Sequence, residues 1–445
     1  MKENKIMDIL NNKPTFSEKY SAIIKMVMIG VLILLLLIPA YMVQDVIHER
    51  EENQTNVKQE ISSKWGQGQT LTGPIVSIPY EIDVVEDRPR TITKYIHLLP
   101  SELTIEGDVD TTLLSRSIYD VIAYTARLKV SGKFDGSELL KMGGIPSSAD
   151  WENATLNIGI TDLTGVQDRI QVKWGNDTFN FNPGVDNRDN YRSGVSAPIS
   201  FSADKKMDFS FDLNLKGSEY INFVPVGKET KVSLTSKCPN PNFHGSFLPT
   251  KRSVDDDGFS GEWKVLHLNR NYPQAWDDTN QQIENSAFGV EMMLDVDPYQ
   301  KTMRSAKYAI LFIAMTFLTF FFIEILGKKR IHPIQYILIG LVLILFYVLL
   351  LSMSEQFGFN VAYFIGALAV ILLVTIYTAS VLRSNQQSMI MFTILTVLYG
   401  FIYIIIQMAE YSLLFGSIGL FLFLAAVMIA SRKVDWYNIG LKEGE

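Results

Sequence analysis

The chain has 445 residues, 47% of them hydrophobic and 20% charged, and a formal net charge of −7. That balance speaks against a nucleic-acid partner. The lone cysteine, Cys238, excludes an intramolecular disulfide, a zinc ribbon and a CxxC redox pair. The averages conceal two unlike parts. Residues 44–307 hold 38 acidic and 28 basic side chains and no apolar run long enough to span a bilayer, while the rest holds 9 acidic and 12 basic and is mostly hydrophobic.

Residues 1–21 form a polar tail rich in lysine (Lys2, Lys5, Lys13, Lys19). The stretch from Ala22 to Val43 follows, about 22 residues with one charge, Lys25, near its start. At about 1.5 Å per residue a helix of that length covers the roughly 30 Å hydrocarbon core. No small-x-small cleavage site precedes Gln44, so the segment reads as an uncleaved signal anchor. Lys25 can return its ammonium to the interface.

His48 to Lys64 is charged and helix-compatible, a stalk. Strand signals then begin with Thr70–Ile82 and Thr91–Leu99, rich in β-branched and aromatic residues. In the next run Ile122, Tyr124, Ala126, Leu128 and Val130 fall opposite Arg127, Lys129 and Ser131. Phe209, Phe211, Leu213 and Leu215 likewise alternate with Ser210, Asp212, Asn214 and Lys216. Period-two alternation predicts a sheet with one buried face. KVSLTS, GEWKVLHLN and FGVEMMLDV supply further strands, and Asp135-Gly136, Gly143-Gly144, Pro183-Gly184 and Asp257-Gly258 supply turns. Residues 44–307 are therefore expected to form one large β domain or two β-rich lobes. Five apolar runs close the chain at Tyr308–Leu326, Pro333–Leu351, Val361–Val381, Met389–Met408 and Ser412–Ala430, each about 19 to 21 residues.

The expected fold is an α-helical membrane protein with six transmembrane helices carrying a large antiparallel β-rich exported domain. The helices are one N-terminal anchor (22–43) and a C-terminal five-helix bundle (308–430), with tails at 1–21 and 431–445. Lys328, Lys329, Arg330, Arg383, Arg432, Lys433 and Lys442 share one face with the N-terminal lysines, whereas the connectors at Ser352–Asn360 and Ala409–Tyr411 contain only Glu355 and Glu410. The positive-inside rule then makes both termini cytoplasmic and the β domain exported.

Chemistry is sparse. The five histidines, His48, His97, His244, His267 and His332, show no metal-ligand spacing, and no HExxH, GxSxG or P-loop occurs. His244 sits six residues from Cys238 in a Pro/Gly-rich loop, but a catalytic pair needs a third orienting group. Cys238 is read as an inert small side chain, with an inter-chain pair or a nucleophile as the other readings. Asp255–Gly258 suits a hairpin turn better than a calcium loop, because its three aspartates are consecutive. In the spans no ionisable residue lies near a centre. Glu324 is taken as an interfacial residue beside Lys328 and Arg330, together with Arg304 and Lys307. Trp436 and Tyr437 suit an interfacial belt.

Longer stretches carry a family resemblance. Arg116, Tyr119, Gly132 and Phe134 lie in one strand pattern. Pro225, Gly227, Thr230, Pro241, Phe243, Gly245 and Pro249 make a second, and Gly258, Phe259, Trp263, Arg270, Pro273 and Trp276 a third. Tyr299, Arg304, Lys307, Tyr308 and Glu324 mark the passage into the membrane. Together they resemble CreD, a bacterial inner-membrane family linked to cell-envelope integrity. The sequence departs from it at Cys238 and Asn240, where the family tends to place tryptophan and histidine. The resemblance implies an inner-membrane location and brings no enzymatic activity and no cofactor.

The expected function is support of envelope integrity or of the envelope-stress response by binding, with the lipid bilayer and an envelope protein, lipid or glycan as partners. The candidate contact surface is Pro241, Phe243, His244, Gly245 and Pro249 with Trp263 and Trp276, where aromatics and rigid prolines could form a patch, with core and turn as the other reading of the same residues. The alternatives are a transporter or permease subunit built on the bundle, and a periplasmic hydrolase acting on envelope material.

Overall fold

The computed structural model describes residues 21–85, 89–142, 145–185, 193–277, 281–293, 298–327, 331–408 and 411–432. The N-terminal lysines, the Gly143-Gly144 turn, the Lys328–Arg330 loop, Glu410 and the tail with Trp436 and Tyr437 lie outside the described residues. Two compact units emerge: Gln54–Asp295, and the described parts of Met1–Asn53 with Val296–Glu445.

The second of these is helical. Helix α1 (Ser21–Trp65) continues without a break through the segment read as a stalk, with Pro39 inside it. After α2 (Pro298–Lys307) come α3 (Ala309–Leu326), α4 (Pro333–Phe357), α5 (Phe359–Leu382), α6 (Asn385–Gln407) and α7 (Ser412–Ser431). Among the described residues α1 and α3 to α6 are the five helices long and apolar enough to cross a membrane. The sixth expected span corresponds to α7, whose described apolar stretch, Leu414–Ile429, is shorter.

One stripe of α1 is buried: Ile29, Leu32, Leu36, Ala40, Val43 and Ile47, spaced by three and four residues. Val31, Leu34, Leu35 and Ile38, on the other faces, are exposed, as a lipid-facing surface requires. The close approach is visible at Gly340 of α4, where a Cβ would stand 2.2 Å from the Leu36 side chain and 3.1 Å from the Phe317 ring. Small residues at such contacts let helices pack without a hydrophobic driving force between them.

The β unit contains two sheets. Among the described residues one has nine strands, in the order Pro241–Gly245, Phe288–Met292, Tyr220–Phe223, Gln69–Val85, Ala154–Ile160, Gly194–Ile199 and Asn182–Pro183, with Pro89–Leu98 also on Gln69–Val85 and Ala275–Asp277 beyond it. The other has eight: Lys251–Asp255, Gly258–Leu266, Glu229–Ser236, Glu102–Arg116, Tyr119–Asp135, Lys206–Ser218, Gln171–Trp174 and Asp177–Asn180. The sheets are mixed rather than purely antiparallel. Gln69–Val85 pairs with Tyr220–Phe223 in parallel, and so does Glu102–Arg116 with Glu229–Ser236. Alternation in a sequence fixes which face of a strand is buried and is silent on the direction of its neighbour.

The alternating runs do meet as their pattern implies. Phe211 stands opposite Val130, Leu213 opposite Leu128 and Leu215 opposite Ala126, all buried, while Arg127, Lys129 and Asp212 are exposed. Each such large side chain removed from water contributes about 1.5–3 kcal/mol. Ile122 is half-buried, and its neighbours Val121 and Ala123 are buried, so this end of the strand is covered on both faces. The buried residues of both sheets form one contiguous core.

Candidate functional site

The residues of the expected contact patch divide between surface and interior. Pro241–Gly245 is a strand, terminal in the nine-stranded sheet and paired on one side with Phe288–Met292. Asn242, Gly245, Ser246 and Leu248 are exposed, and Pro241, His244 and Pro249 are half-buried. Phe243 turns inward, its ring 5.7 Å from Trp263 and 5.6 Å from Phe259, edge-on to each.

The two tryptophans belong to the core, which corrects their assignment to a contact surface. Trp263 is 2% exposed, lies 5.7 Å from the Phe288 ring, and donates its indole N–H to the Phe247 carbonyl at 3.2 Å. Trp276 is also buried, 5.4 Å from the His97 ring on the opposite branch of the nine-stranded sheet. For Trp263 the signal was present in the sequence: it alternates with Glu262 and Lys264 and shares its phase with Val265.

Cys238 is buried, and burial pushes its thiol up, away from the thiolate that a nucleophile requires. His244 meets the Tyr220 ring edge-on at 6.4 Å. Asp255–Gly258 closes a two-residue hairpin in which Asp255 Oδ1 accepts the Asp257 N–H at 3.1 Å, and Gly258 takes φ +139°, a conformation open to glycine. Further along this unit the Glu60 carboxylate, on the last part of α1, pairs with Arg116 and Lys64, and Lys216 stands 4.1 Å over the Trp65 ring.

In the helical unit Glu324, expected at the membrane interface, is buried within the protein, 4% exposed. One carboxylate oxygen, Oε1, accepts from the Lys25 ammonium of α1 and from the Ile331 N–H at 3.0 Å, and Oε2 accepts the Tyr336 hydroxyl at 3.3 Å. Lys25 remains one-third exposed. A buried charge is tolerated when it is both paired and hydrogen-bonded, and Glu324 is both. Nothing in the local sequence around Lys25 or Glu324 names the other. Arg304 is half-buried and Lys307 exposed in the last turn of α2, where cations suit the negative end of a helix. Tyr299 of that helix donates its hydroxyl to Glu355 at 2.8 Å.

A family model described as "Inner membrane protein CreD" matches residues 21–437. Over 418 residues the chain is 32% identical to the inner membrane protein CreD of Escherichia coli (strain K12), with 92% of each chain covered.

Proposed function

The chain belongs to the CreD family of inner membrane proteins, and from that premise we propose that it supports the integrity of the cell envelope without catalysing a reaction, by binding an envelope component or partner through its β unit. The observation that carries this reading is electrostatic. Among the described residues of that unit, the carboxyls that depart from their ordinary range all depart downward. A hydrogen bond from Arg116 holds Glu60 down at about 2. Ser137 and Lys206 lower Asp135, and Lys231 and Lys264 lower Glu229. A hydrolase of envelope glycans needs one carboxyl raised far enough to deliver a proton near neutrality. Carboxylates held ionised by neighbouring cations supply no such acid.

In this reading the β unit is periplasmic and both termini are cytoplasmic, supported by the one-sided placement of lysine and arginine among the connectors. The contact surface is the exposed part of Pro241–Pro249. Its strand is terminal in its sheet, so among the described residues no strand pairs with its other side, where an extended segment could be added. The bundle serves as the anchor: Glu324 already takes three donors, which makes it a tie between helices rather than an ion site.

The test is photo-crosslinking in intact cells from Asn242 and Leu248, both of which are exposed. Capture of one envelope protein, lipid or glycan from these positions, and not from the outer face at Lys129, is the expected result. Absence of any enriched species from either position would count against the surface.

A further inference from the structure

The middle of the helical bundle holds hydroxyls that the protein itself does not satisfy. Thr316 on α3, Tyr347 on α4 and Tyr399 on α6 are 0%, 1% and 2% exposed, and none of the three hydroxyls has a hydrogen-bond partner. Their neighbours behave otherwise. Thr319, Thr375, Thr378, Thr393 and Thr396 each donate to the carbonyl four residues back, at 2.6–2.9 Å. Tyr363 donates to the Tyr399 carbonyl at 2.8 Å, and Tyr336 to Glu324.

The two tyrosines share one pair of phenylalanine rings, and Thr316 lies one turn from the first of them. The Phe312 ring lies 4.5 Å from that of Tyr399 and 6.2 Å from that of Tyr347. Phe346 lies 4.9 Å from Tyr399 and 5.0 Å from Tyr347. Thr316 follows Phe312 by one helical turn on the same buried face. In hydrocarbon an unpaired hydroxyl has no solvent to turn to, and native interiors satisfy such groups with ordered water that makes two to four hydrogen bonds.

We propose that Thr316, Tyr347 and Tyr399 form an internal water site that bridges α3, α4 and α6 at the centre of the bundle. The three hydroxyls carry no net charge and both donate and accept, so the guest they suit is neutral and does the same. Water bonded to them links three helices that share no direct side-chain hydrogen bond through these residues.

The test uses the full chain in lipid nanodiscs and radiolytic labelling in water enriched in oxygen-18, which marks side chains beside bound water. Tyr347 and Tyr399 should take up label severalfold faster than Tyr336, which is equally buried but has its hydroxyl bonded to Glu324. Labelling no faster than that of Tyr336 would overturn the proposal. A second measurement separates the guest from the packing. Tyr347→Phe and Tyr399→Phe keep the ring and remove only the hydroxyl, so each should lower the Tm and slow labelling of the remaining tyrosine. An unchanged or raised Tm, the result expected when an unsatisfied hydroxyl is simply deleted, would overturn it as well.

Discussion

Replacing Lys25 by methionine probes the tie between α1 and the rest of the bundle. The stem is kept and the ammonium removed, leaving the Glu324 carboxylate, 4% exposed, with only the Ile331 N–H and the Tyr336 hydroxyl. Breaking a fully buried pair costs about 3–5 kcal/mol. Lys25 is one-third exposed, so solvent screens part of the attraction and the expected loss falls to about 1–3 kcal/mol. Glu324→Gln should cost less, about 1–2 kcal/mol, because the lysine can extend to the interface while the amide keeps an acceptor. The double variant removes both charges, and its loss should fall below the sum of the single losses by about 1–2 kcal/mol. Thermal unfolding of the purified full chain, with all four proteins in one detergent, gives the cycle. Strictly additive losses would refute the pairing of Lys25 with Glu324.

Two further outcomes test the β unit. Trp263→Ala empties a core position and should destabilise this unit by about 3–5 kcal/mol in denaturant unfolding, whereas the exposed Leu248→Ser should stay within about 0.5 kcal/mol; equal effects would return Trp263 to the surface. The folded value for Glu60, about 2, lies below its ordinary 4.5, so the pair with Arg116 contributes stability above pH 4.5 and loses it as pH falls toward 2. Arg116→Ala should flatten the dependence of Tm on pH across that window, and an unchanged slope would show that the pair does not form in solution.

Much of this architecture was legible in the chain. The apolar runs give the helices because a bilayer demands about twenty apolar residues in a row, and α3 to α6 begin or end within a few residues of the expected limits. Phe209 to Leu215 announced their buried face through strict alternation, and the consecutive aspartates before Gly258 announced a hairpin. Relations between distant residues stayed hidden. The parallel pairing of Gln69–Val85 with Tyr220–Phe223 depends on how the chain returns, which no local pattern encodes. The α1 helix runs past its apolar stretch because its charged continuation is itself a good helix former, so composition marked a change of solvent and not an end of structure. At Trp263 the pattern was readable, yet aromatic content near a proline-rich loop suggested a contact patch, and burial prevailed over that suggestion.

Lys25 and Glu324 are separated by 299 positions in the chain. At translation speeds of about 5–20 residues per second, the first span therefore sits in the bilayer for roughly 15–60 s before its acidic counterpart has been synthesised. During that interval its ammonium can return to the headgroup region. Assembly of the membrane part is thus completed late, after the whole β unit has left the ribosome.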